Sequence, residues 1–174
     1  MNIRFYHARL LTMQQDCSIQ EDGELWVKGN RIEYAGPPKE SHESWDREID
    51  AGGDLLMPGF KNAHTHSAMT FLRSYADDLP LLQWLQKQVF PMEAKLTGED
   101  VYHLSKLAIL EYLTSGITAN FDMYFYPDQI AQASMDCGFR TVLCSSMNDF
   151  VSSLEEMEEN YHKFQNFSDL IGYW

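Results

Sequence analysis

The hydrophobic pattern changes period near residue 56. Before that point apolar residues come in short runs broken by turn formers. Leu25-Trp26-Val27 and Ile32-Glu33-Tyr34 flank Gly29-Asn30, a pair suited to a two-residue hairpin turn. Gly36-Pro37-Pro38 closes that unit, because proline has no N–H to give to a ladder, and the polar stretch 39–47 reads as a loop. Beyond it, Leu55-Leu56-Met57-Pro58-Gly59-Phe60 forms an apolar approach into Asn62-Ala63-His64-Thr65-His66. Leu79, Leu82, Leu85 and Val89 then fall at helical spacing. Thr97 is a good N-cap, with Glu99 and Asp100 in a first turn where the helix dipole favours acids. The helix it opens is expected to bury Val101, Leu104, Leu107, Ala108 and Leu110 and to stop near Gly116. Residues 117–123 and 141–144 read as strands, separated by a helix that Pro127 opens. Ser152 or Ser153 caps a helix carrying Leu154, Met157, Tyr161 and Phe164 on one face.

Strands alternating with helices of this length imply βαβ units around a parallel sheet, so the fold class is α/β. Residues 1–56 read as part of a small β domain, and 57–174 as about three strand–helix units. A complete eight-stranded barrel takes about 250 residues. The run Leu170-Ile171-Gly172-Tyr173-Trp174 looks like the opening of a further strand. Left alone it exposes apolar residues and a sheet edge, so the expectation is a truncated chain.

Charge narrows the partners. Thirteen Lys and Arg against 26 Asp and Glu give a formal net charge of −13, which argues against nucleic acid, whose binders need cationic surface. No run of about 18 apolar residues and no signal peptide is present, so neither membrane insertion nor export is expected and the reading is cytoplasmic. Cys17, Cys137 and Cys144 lack paired ligand spacing, which disfavours a disulfide framework or a zinc knuckle.

The candidate chemistry begins at His64 and His66. On a strand, residues two apart point to the same face, so both imidazoles can reach one ion. Imidazole suits zinc, with iron and manganese also open. Their position at the end of an apolar strand in a βα pattern is where barrel enzymes place catalytic groups; the bland alternative is a loop pair capping a helix. Asp122 either faces the same site or caps a helix. Trp84 and Phe90 either wall a pocket or belong to a core. His7, His42, His103 and His162 stand apart and receive no role.

The run Met57-Pro58-Gly59-Phe60-Lys61-Asn62-Ala63-His64-Thr65-His66 is similar to the first barrel strand of the amidohydrolase superfamily. The segments from Met69 to Leu81 and from Phe90 to Thr97 resemble the branch containing S-adenosylhomocysteine/methylthioadenosine deaminases and the triazine chlorohydrolases. The resemblance runs from about residue 50 to residue 147. It implies a (β/α)8 barrel beside a small β-sandwich built from both chain ends, residues 1–56 being its N-terminal share. It further implies that His64 and His66 are two ligands of one catalytic metal, usually zinc, and that Glu93 contacts the ribose of a nucleoside. The implied reaction is hydrolytic deamination of a purine nucleoside or related amino-heterocycle by hydroxide formed on that metal, with a chlorohydrolase as the near alternative. The other ligands and the catalytic glutamate are expected beyond Trp174, so no catalytic acid or base is assigned within this chain. A reading of different class is a non-catalytic fragment or assembly module completed by a second polypeptide or by homo-oligomerisation. The deaminases of this branch carry arginines shortly after the third strand. Ser145-Ser146-Met147-Asn148-Asp149 has none.

Overall fold

The computed structural model describes residues 1–76, 78–145 and 153–174. Ser146–Asp149, Ser152 and Asp77 lie outside that set. The chain falls into two compact units, Met1–Pro58 and Gly59–Trp174.

The first unit is a five-stranded sheet. Strands β1 (Asn2–Leu11), β2 (Ile19–Lys28), β3 (Arg31–Gly36) and β4 (Arg47–Asp50) lie in the order β3-β2-β1-β4, and β5 (Leu55–Leu56) also pairs with β1. Gly29 takes φ +61° in the β2–β3 turn, a conformation that glycine adopts without a Cβ clash. Glu24 is the one buried acid of this unit, and its charge is matched locally. Arg4 reaches it through Nε at 3.0 Å and Trp26 Nε1 donates to it at 2.8 Å.

The second unit opens with β6 (Phe60–Thr65) and a 3₁₀ turn (Ser67–Leu72). A continuous helical stretch follows: α1 (Leu81–Trp84), a π turn (Leu85–Val89) and α2 (Phe90–Glu93). Then come α3 (Gly98–Thr114), β7 (Ile117–Met123), α4 (Pro127–Cys137), β8 (Arg140–Cys144), α5 (Leu154–Phe164) and β9 (Ile171–Tyr173). All three strand pairings are parallel, and the order β6-β7-β8-β9 follows the chain. Sequential order marks a (β/α) barrel, whereas a doubly wound sheet reverses partway across.

The core lies between sheet and helices. Ala68, Val101, Ile130, Ala131, Leu143, Phe164, Ile171 and Tyr173 form its main cluster, and Ile109, Ala133 and Phe139 a second. On α3 the expected face is corrected: Val101 and Ala108 are buried and Leu104 packs against the core, but Leu107 and Leu110 are exposed. Ser105 and Ile109 take the inward places instead. The 3₁₀ turn and α4 both pack on α3, and small side chains permit that approach.

Thr97 caps α3 through a reciprocal box. Its Oγ1 accepts from the Asp100 N–H at 3.3 Å while the Asp100 carboxylate accepts from the Thr97 N–H at 2.8 Å. Thr97→Ala is expected to cost about 1 kcal/mol, read as a lower denaturation midpoint with an unchanged slope. Ser153 caps α5 by a single bond, its Oγ accepting from the Glu156 N–H at 3.2 Å.

Candidate metal centre

His64 is the penultimate residue of β6, and His66 stands one residue past the strand, ahead of the 3₁₀ turn. The β6–β7 ladder is irregular here, with a register shift between Asn62 and Thr65. Strand alternation alone therefore does not align the two rings. They nevertheless converge, with centroids 5.0 Å apart and planes at 82°. His66 Nδ1 lies 2.8 Å from the Met123 carbonyl oxygen. A carbonyl only accepts, so Nδ1 carries the hydrogen, and in the neutral ring the Nε2 lone pair is free. A ligating histidine is held in this way, with one nitrogen on a backbone carbonyl and the other on the ion.

The residues flanking His66 are tied down by the end of β7. Asn120 and Asp122, two apart on one face of that strand, are both buried. Asp122 Oδ1 accepts the Ser67 N–H at 2.9 Å and lies 3.1 Å from the Thr65 hydroxyl, which also sits 2.9 Å from the Phe121 carbonyl. Asn120 Nδ2 donates to Thr65 Oγ1 at 3.0 Å and to Ser67 Oγ at 3.1 Å, and Ser67 Oγ meets the Tyr112 hydroxyl at 3.1 Å. Burial pushes the Asp122 carboxyl above the usual carboxylate range, against the pull of the Ser67 and Thr65 hydrogen bonds. Its Oδ2 has no protein partner. Asp122 thus binds the first N–H of the 3₁₀ turn, which accords with the capping alternative.

Glu93, at the end of α2, is half-buried. Its pKa is raised because burial outweighs the opposing influence of the Tyr124 phenol and of His66. The contact with Tyr124 falls short of a hydrogen bond, since the buried Tyr124 hydroxyl has no partner by geometry. Desolvation and the Glu93 charge push that phenol far up, so it stays protonated. A half-buried carboxylate beside a protonated, unpartnered hydroxyl offers one acceptor and one donor to a polar ligand.

Two convergent imidazoles with a free Nε2 fit a shared divalent ion, but catalytic zinc takes three protein ligands. No group of three or more His, Cys, Asp or Glu side chains able to hold an ion occurs among the described residues. The Cys144 thiol is raised by burial and so is disfavoured as a thiolate ligand. Trp84 is half-buried, its Nε1 donating to the Tyr75 carbonyl at 3.3 Å, while Phe90 is exposed. His7, His42, His103 and His162 are all exposed. Sequence reasoning missed Tyr124, Asn120, Thr65 and Ser67; the signal available was a pair of polar residues, Asn120 and Asp122, on one face of an otherwise apolar strand.

A parallel strand order that follows the chain, with a His-x-His pair at the end of its first strand, is the layout of a (β/α) barrel with polar groups at its strand ends. The amidohydrolase family model matches residues 55–172, and the chain belongs to that family. It is 40% identical over 162 residues to a 5-methylthioadenosine/S-adenosylhomocysteine deaminase of Symbiobacterium thermophilum, covering 89% of this chain and 37% of the relative. It is 43% identical over 154 residues to a 5'-deoxyadenosine deaminase of Methanosarcina mazei, covering 88% and 35%. Among solved structures, an adenosine deaminase from Xanthomonas campestris with bound zinc superposes with a TM-score of 0.84 at 30% identity, over 98% of this chain and 41% of that one. The chain therefore spans well under half the length of these relatives, and its parallel sheet is part of an amidohydrolase-type (β/α)8 barrel. No helix among the described residues is long and apolar enough to cross a membrane.

Proposed function

We propose that this chain supplies part of the active site of a metal-dependent enzyme that hydrolytically deaminates an adenosine-type nucleoside. His64 and His66 would hold a divalent metal, with zinc the first choice and iron or manganese open. The observation that carries this is the His66 ring, locked by the Met123 carbonyl with Nε2 free and the His64 ring 5.0 Å away. When bound, such an ion acidifies water and so supplies a nucleophile near neutral pH. The further ligands and the proton-transfer group would come from polypeptide beyond the described residues. Residues 1–56 would form the N-terminal share of a small β-sandwich. The deaminase names of the relatives at 40% and 43% identity support an amine as the leaving group. The test is elemental mass spectrometry, followed by an ammonia-release assay on adenosine-type nucleosides, of this chain completed by the polypeptide that supplies the further ligands and the proton-transfer group. Metal with ammonia release supports the reading, whereas metal without release from any aminopurine nucleoside overturns the deaminase assignment.

Within this reading Glu93 accepts hydrogen bonds from two neighbouring sugar hydroxyls, a task suited to a half-buried carboxylate. Glu93→Ala is expected to weaken binding of a nucleoside by about 1.5–3 kcal/mol more than binding of the free base. Isothermal titration with both ligands measures the difference, and equal losses would remove the sugar contact.

A further inference from the structure

We infer that Asp122 is a positioning residue for His66, fixing the imidazole so that Nε2 faces the metal; this rests on the proposed ligand role of His66. Three consecutive residues, 65 to 67, are held by consecutive groups at the end of β7. Thr65 and Ser67, on either side of His66, both meet Asp122 Oδ1, at 3.1 and 2.9 Å. The ring between them bonds the carbonyl of Met123, the residue after Asp122. The Asn120 amide donates to the side chains of Thr65 and Ser67 and not to their main chain. Asp122 alone takes the Ser67 backbone N–H, and so sets the path of the main chain as it leaves His66. This arrangement is a poor one for stability alone: Asp122 is 1% exposed and its Oδ2 is unpartnered, and burying an imperfectly paired carboxylate is costly. A neutral residue would serve folding better, whereas two donors converging on one oxygen serve geometry.

The test reads the imidazole nitrogens of His66 by long-range 1H–15N correlation in the metal-free, 15N-labelled chain at alkaline pH, followed by titration with Zn2+ alone. In the unmodified chain His66 is held as the Nδ1–H tautomer. Asp122→Ala releases it to a tautomer mixture and, where Zn2+ binding depends on His66, weakens that binding about 10–100-fold, the range for lost outer contacts to a ligand. Asp122→Asn keeps an acceptor oxygen and restores both readouts, whereas Asp122→Leu, which fills the space without an acceptor, restores neither; a merely space-filling role would have both variants restore them. Thr65→Val removes the shared hydroxyl and shifts both readouts less, in the same direction; it carries the test if Asp122→Ala does not fold. An unchanged tautomer in whichever of these two variants folds overturns the proposal. Zn2+ binding that is absent, or indifferent to His66→Ala, removes the ligand reading instead, and the metal-free tautomer comparison then decides the positioning role by itself.

Discussion

His66→Ala is expected to lose metal and turnover together, in any form of the enzyme that hydrolyses substrate. The two histidines are held differently. His64 lies exposed on a strand whose register slips beside it. His66 is half-buried, bonded through Nδ1 to the Met123 carbonyl and flanked by Thr65 and Ser67, both fixed on Asp122. In the proposed site it would be the preorganised ligand, and its removal would leave the exposed His64 imidazole alone. The turnover loss should span several orders of magnitude, because zinc brings the pKa of bound water far down, to about 7. Metal content by elemental mass spectrometry and ammonia release on the same preparation give the two readouts. Zinc retained at the unmodified stoichiometry with turnover lost would exclude His66 from the ligand set. The parallel loss in His64→Ala should be no larger, since His64 has less built around it.

Local features were legible where one physical rule governs them. The Gly29-Asn30 hairpin, the Thr97 cap and the parallel sheet follow from turn chemistry, capping and alternation of period, and each stands where the residues place it. The inward face of α3 was legible in part: Val101, Leu104 and Ala108 face the core as expected. That helix carries leucines on several sides, so period alone does not select the whole buried stripe, and close packing selected Ser105 and Ile109 over Leu107 and Leu110. The candidate site was half legible. His64 and His66 stand out by type and spacing, but the reason offered, regular strand alternation, is not how their rings meet, because His66 lies off the strand. The network that flanks His66 joins Thr65 and Ser67 to Tyr112, Asn120 and Asp122 across more than 40 residues of chain. No local rule reaches that far. Tyr124 was invisible for the same reason: its hydroxyl matters only because the fold brings it beside Glu93.

Phe164→Ala is expected to destabilise the second unit by about 3–5 kcal/mol, the usual loss for a fully buried phenylalanine. Phe164 is 0% exposed and is the sole buried residue of α5 among those described. It stacks on Tyr173 of β9 at 6.0 Å and 14°, and meets Phe167 edge-on at 5.3 Å. Leu154 and Tyr161 contribute less, being 61% and 41% exposed, and Met157 is only partly buried. The other tether is the Lys163–Asp128 ion pair at 2.6 Å, with both side chains about half exposed. Exposed pairs contribute only about 0–1 kcal/mol, so the aromatic contact dominates and Lys163→Ala should stay within about 1 kcal/mol of the parent. Urea denaturation of the three proteins separates these contributions. Phe164→Leu, which keeps most of the volume and loses the stack, should fall between the parent and the alanine variant. If Lys163→Ala costs as much as Phe164→Ala, α5 is held by its charge and not by its ring.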